Sequence, residues 1–149
     1  MTYLTTKEAA RRIRLQLKVN YPKCKFSVTM ESFSMGSAID IKLMAAPFDA
    51  IDVDKQIQYT LDSNHFNHSV DEVTEYVNER FRSAQLNEYQ FTDDYETSNG
   101  YSNGNVLTKE AWDVFSGVIK IVNETTAGNN AYKHYGIGKW DKPFVNKSL

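Results

Sequence analysis

Hydrophobic and polar positions alternate along this chain in a few clean runs. Ala10, Ile13, Leu17 and Tyr21 recur at helical spacing and predict one apolar stripe. Thr5 and Glu8 stand ahead of it as a T-x-x-E capping box. Pro22 disfavours helical geometry at Tyr21 and stops the helix there. The period then changes to two. Phe26, Val28 and Met30 alternate with Ser27, Thr29 and Glu31, and Ile39, Ile41 and Leu43 alternate with Asp40 and Lys42. Ser34 to Ser37 can form the turn between them, with Gly36 free to take positive φ. The block from Leu4 to Leu43 is therefore a helix followed by a β-hairpin.

Further along, Val53, Ile57 and Leu61 predict a helix from Ile51 to Asp62. Ser63 to His68 is a polar connection. Ser69 and Glu72 form a second capping box, and Val70, Val73, Val77 and Phe81 line the helix behind it. Acidic residues open that helix and Arg80 and Arg82 close it, which complements the helix dipole. Glu88 to Thr92 reads as a short strand with Tyr89 and Phe91 on one face. Asp93 to Asn105 is a loop. Thr108 caps a last long helix with Trp112, Phe115, Ile119 and Val122 as its stripe, and Gly128 closes it. Asn129 to Leu149 shows no period. The fold class expected is α+β, with an antiparallel sheet built on the helix–hairpin unit and packed against three to four helices.

The helix–hairpin block resembles the N-terminal part of a large polyvalent protein-associated domain, a family of phages, plasmids and conjugative elements. The similarity lies in Lys7-Glu8-Ala9-Ala10, Ile13-Arg14, Tyr21-Pro22, Lys25-Phe26-Ser27-Val28, Gly36-Ser37 and Ile39-Asp40-Ile41. It continues into the Ala46-Pro47 turn. The family's usual Trp and Asp-Gly are replaced here by Leu43 and Ala45-Ala46. The resemblance implies a mobile-element context and brings no catalytic activity with it. Residues 1–149 read as one domain, with 1–66 similar to the module and 67–149 a helical extension with a C-terminal tail.

Length suits one domain with a real core, at 149 residues and 41% hydrophobic content. One cysteine, Cys24, excludes an internal disulfide and a cysteine zinc cluster. Neither a signal peptide nor a membrane-spanning run is seen, so a cytoplasmic location in the host cell is expected, with no membrane partner. Net charge is only −2, but it is unevenly spread. Residues 1–45 hold eight Lys/Arg against three Asp/Glu, and residues 46–99 hold three against twelve. A basic and an acidic surface are the functional reading; ordinary solvated helices are the plainer one.

Candidate chemistry is sparse. Lys7, Arg11, Arg14 and Lys18 share one helix face, and with Lys25 and Lys42 they are the residues expected to touch nucleic acid or a protein partner. Asp93, Asp94 and Glu96 would form a projecting acidic, tyrosine-bearing loop that enters a basic groove on a partner. His65 and His68 form an H-x-x-H near Asp62 and Asp71, a weak metal candidate that needs His134 as a third ligand. Lys23 and Lys25 would lower the Cys24 thiol. Gly136-Ile137-Gly138-Lys139 lacks phosphate-loop spacing and reads as a turn. Tyr132, Tyr135, Trp140 and Phe144 are candidates for base stacking, for core packing or for a homodimer contact.

The reading that follows is a small non-enzymatic phage or mobile-element protein acting by macromolecular contact, with no cofactor. Its expected partner is a host protein or nucleoprotein complex, and an inhibitor of host defence of the anti-CRISPR or anti-restriction type is its concrete form. A nucleic-acid-binding accessory protein using the basic helix and hairpin is the alternative, and a metal-dependent enzyme using His65 and His68 is the third.

Overall fold

The computed structural model describes residues 4–63, 69–80, 84–91, 94–95 and 107–138. Helix α1 runs from Thr6 to Asn20. The Thr5 hydroxyl accepts from the Glu8 N–H at 3.1 Å, which satisfies one of the open donors of the first turn. Ala9, Ala10, Ile13 and Leu17 are buried, as the spacing requires. Tyr21 leaves the helix and lays its ring beside Phe26, 6.1 Å between centroids. Its hydroxyl occupies the space that a side chain on Gly117 would need.

Strands β1 (Lys25–Phe33) and β2 (Gly36–Ala45) form the predicted hairpin, Val28 opposite Ile41 and Met30 opposite Ile39. Its turn consists of Ser34 and Met35. Gly36 does not use its freedom to take positive φ; among the described residues only Gly128 has one. Gly36 instead starts β2, directly opposite Phe33, whose ring lies over it.

The chain then forms α2 (Val53–Ser63) and α3 (Val70–Arg80), which pack on each other. The Glu72 N–H bonds the Ser69 hydroxyl, so the second predicted cap is present. Strand β3 covers Ala84–Leu86, and Glu88–Phe91 is a 3₁₀ turn where a strand was expected. Local side chains explain the change. Asn87 accepts from the Tyr89 N–H through Oδ1, and Gln90 accepts from the Asn87 N–H through Oε1. Such bonds offer the backbone a turn in place of a ladder.

Helix α4 (Lys109–Thr125) starts at Thr108, whose hydroxyl accepts from the Ala111 N–H and donates to Asp49 O at 2.6 Å. Trp112, Phe115, Val118 and Val122 bury its inner face. Asn129 then ties the ends together. Its Nδ2 donates to Leu4 O at 2.9 Å, and its Oδ1 accepts from the Ala131 N–H.

The segment expected to be an aperiodic tail enters the sheet. Strand β4 (Tyr132–Ile137) lies between β2 and β3, giving the order β1-β2-β4-β3. It runs parallel to β2 and antiparallel to β3, so the sheet is mixed, within the α+β class expected. Gly136 and Ile137, read as part of a turn, are strand residues. Ile39, Ile41, Leu43, Tyr135 and Ile137 share one face and meet Ile13, Leu17, Phe115 and Val118 in one continuous core. No helix among the described residues is long and apolar enough to cross a membrane.

Two glycines separate packing from mere space. A Cβ on Gly136 would lie 2.7 Å from the Ala84 carbonyl oxygen, which is backbone and has to move with its strand. A Cβ on Gly36 would meet only the Phe33 ring, at 3.4 Å. Gly136→Ala is therefore expected to lower unfolding free energy by about 1–3 kcal/mol. Gly36→Ala is expected to stay within about 0.5 kcal/mol of the parent. Urea denaturation of both variants checks this pair.

Candidate binding surface

The basic face of α1 is largely committed to the protein itself. Lys7, Arg11, Arg14 and Lys18 are all exposed. Glu8 takes Arg11 through two bonds, Nη2–Oε1 at 2.6 Å and Nε–Oε2 at 3.0 Å, and reaches Arg12 at 3.3 Å. The Arg14 Nε donates to Val28 O at 2.9 Å, on the backbone of β1. Among the described residues, Lys7 and Lys18 are the two of these four whose side chains have neither a hydrogen bond nor an ion pair. Beside that face the helix exposes two apolar residues, Leu15 (51% exposed) and Val19 (77%), which bound the row of charge on one side.

The acidic loop differs from the expectation. Tyr95 does not project; it is buried. Its ring meets Trp112 edge-on at 5.6 Å, and its hydroxyl donates to Leu107 O at 3.1 Å. Lys55 and Lys109 place their Nζ atoms 5.0 and 5.3 Å from the ring centroid, within cation–π range. A ring packed on the core while its hydroxyl reaches a carbonyl anchors this stretch. Asp94 is exposed, and Asp93 and Glu96 lie outside the described residues.

His65 and His68 also lie outside them, as do Trp140 and Phe144. Among the described residues no three His, Cys, Asp or Glu side chains gather as metal ligands. Cys24 is half-buried, and burial pushes its thiol up, the reverse of the lowering expected from Lys23 and Lys25. Tyr135 faces the core. Burial, with Glu88 nearby, raises its phenol far above the usual range.

What the sequence reading missed is the second face of the sheet. Helices α1 and α4 cover one side, and on the other Thr29, Glu31, Phe33, Lys42, Gln85, Tyr132 and His134 are exposed. The alternation along each strand places Ser27, Thr29, Glu31 and Phe33 of β1 on that open side. Ala38, Asp40 and Lys42 of β2 lie beside them, followed by Tyr132, His134 and Gly136 of β4 and Gln85 of β3. At the hairpin end, Phe33 and Tyr132 stack across the small residues Gly36 and Ala38. Their centroids are 6.2 Å apart and their planes 25° from parallel. Both rings stay open to solvent, 44% for Phe33 and 62% for Tyr132, and Met35 beside them is 90% exposed. At the other end is a trough of about 340 Å³ lined by Asp40, Lys42, Gln85, His134 and the backbone at Gly136. Lys42 therefore belongs to this face, away from the α1 cations. The signal was present in β1, where Phe33 is the one aromatic in the polar phase of an alternating strand.

Arg11 and Arg12 hold the Glu8 carboxyl down at about 2. A lowered folded-state value means that the pair supports the fold above the ordinary carboxylate range and loses that support as pH falls toward 2. A carbon-detected NMR titration is expected to find Glu8 protonating near pH 2, and Arg11→Gln is expected to return it toward 4.5.

A family model described as large polyvalent protein associated domain 29 matches residues 4–126. The match runs through the hairpin and the four described helices, and β4 lies beyond it. No significant match was found among curated proteins or among solved structures. The helix–hairpin start, the α+β sheet and the matched span agree: this chain belongs to the large polyvalent protein associated domain 29 family, with the phage and mobile-element association of that family.

Proposed function

We propose that this protein is a non-enzymatic binding module that engages a host protein or nucleoprotein complex through the open face of its sheet. The observation that carries the reading is the solvent-exposed Phe33–Tyr132 stack with Met35 beside it. Aromatic side chains and methionine are the residues enriched at protein interfaces, and a rigid stacked pair presents area at little entropic cost. Glu31, Asp40, Lys42 and His134 on the same face supply a polar surround of mixed sign. Phosphate backbones call for a run of one sign. That mixture favours protein over nucleic acid as the direct contact.

In a mobile element, such a module serves most directly by occupying a surface that a host factor needs. Inhibition of a host defence complex by steric blocking, of the anti-CRISPR or anti-restriction type, is the form we favour. No proton transfer or metal step enters this reading.

Passage of tagged protein through host lysate, with and without nuclease, tests it. Retention of a protein partner is expected to survive nuclease and to fall at least about tenfold in Phe33→Ala/Tyr132→Ala, as for a central aromatic anchor. Lys7→Glu/Lys18→Glu is expected to leave it unchanged. Retention lost to nuclease, or lost only in the lysine variant, would assign the contact to nucleic acid at α1.

A further inference from the structure

The outer edge of β1 is a separate question. Among the described strands β1 is the terminal one of the sheet; it is nine residues long, with no proline. A strand of this kind presents a template for pairing with another copy. The tight turn closes on Phe33 opposite Gly36. Alternation along the ladder then turns the backbone groups of Val28, Met30 and Ser32 away from β2. The Arg14 bond to Val28 O, made from outside the sheet, agrees with that assignment.

From this geometry we infer that Arg14 and Glu31 together close the β1 edge to a second copy of the chain. The registers available to an antiparallel β1–β1′ pair can be enumerated, because outward residues must face outward residues. Centring on Ser27, Val28, Thr29 or Met30 requires the Val28 carbonyl, which Arg14 already holds at 2.9 Å. Centring on Phe26 or on Ser32 runs past an end of the strand, at Lys25 or at Phe33. Centring on Glu31 uses only Met30 and Ser32, whose outward groups are open. That register sets Glu31 opposite its own copy in a non-hydrogen-bonded pair, where Cα atoms approach to about 4.5 Å. Like charges directly opposed across strands are destabilising. The Glu31 side chain is exposed and has no ion-pair partner among the described residues to mask it. Each register is thus stopped by one of the two residues or by the strand end. Arg14, expected from the sequence to touch a nucleic acid or partner, has a defined task inside the fold.

This inference does not depend on the sheet-face reading, since it concerns the edge and a second copy only. The test is mass by light scattering across a concentration series. The parent is expected to give no association through this edge. Arg14→Ala/Glu31→Thr is expected to shift from 17.1 kDa toward twice that mass. Adding Met30→Pro, which deletes an outward N–H without touching the β1–β2 ladder, is expected to return it to one chain. Should the double variant fail to fold, exposed Glu31→Gln alone opens the Glu31-centred register and is expected to associate. A folded double variant, or a folded Glu31→Gln where the double does not fold, that stays at the parent's mass would overturn the inference. So would a parent dimer abolished by Met30→Pro.

Discussion

By lying between β2 and β3, strand β4 fixes both the buried and the exposed face of the sheet. Its pairing with β2 is made by residues far apart in sequence, Ala38 opposite Tyr132 and Leu43 opposite Ile137. Without it, β2 would be an edge and β3 would have no partner among the described strands. The register also decides what the surface shows. A slip of one residue would send Tyr132 toward the helices and Tyr135 toward solvent, because side chains alternate with a period of two. Gly136 permits the close approach of β3 that completes the sheet. The stacked Phe33–Tyr132 pair is a product of that register and of two small residues, Gly36 and Ala38, beneath it.

Charge in this protein is read wrongly if it is read by counting. The first 45 residues are rich in cations, yet Glu8 shares itself between Arg11 and Arg12, and Arg14 is tied to a strand carbonyl. Exposed ion pairs such as those at Glu8 add little to stability, because solvent screens them. Their larger effect is on what remains for a partner. The free cations on α1 are fewer than its sequence implies, and the exposed apolar Leu15 and Val19 lie beside them.

The local elements were legible because their causes are local. Thr5, Ser69 and Thr108 cap the helices they were expected to cap. The alternation from Phe26 to Leu43 marks the hairpin, since one face of it is buried and the other is wet. β4 was hidden for the opposite reason. Its Tyr135, Gly136 and Ile137 are all buried, so neither alternation nor helical period survives. Tyr95 was misplaced because a tyrosine among Asp93, Asp94 and Glu96 looks solvated, and Trp112 and the Leu107 carbonyl that hold it are set by the fold. The binding surface was only half visible. Lys42 was named, but Phe33 became informative only once its neighbours across the sheet were known.

Radical footprinting of the protein, free and bound to its captured partner, locates the contact residue by residue. Met35, Phe33 and Tyr132 are expected to lose reactivity on binding while Leu15 and Val19 keep theirs. Protection of Leu15 and Val19 with an unchanged Met35, Phe33 and Tyr132 would overturn the sheet-face contact and place it on α1.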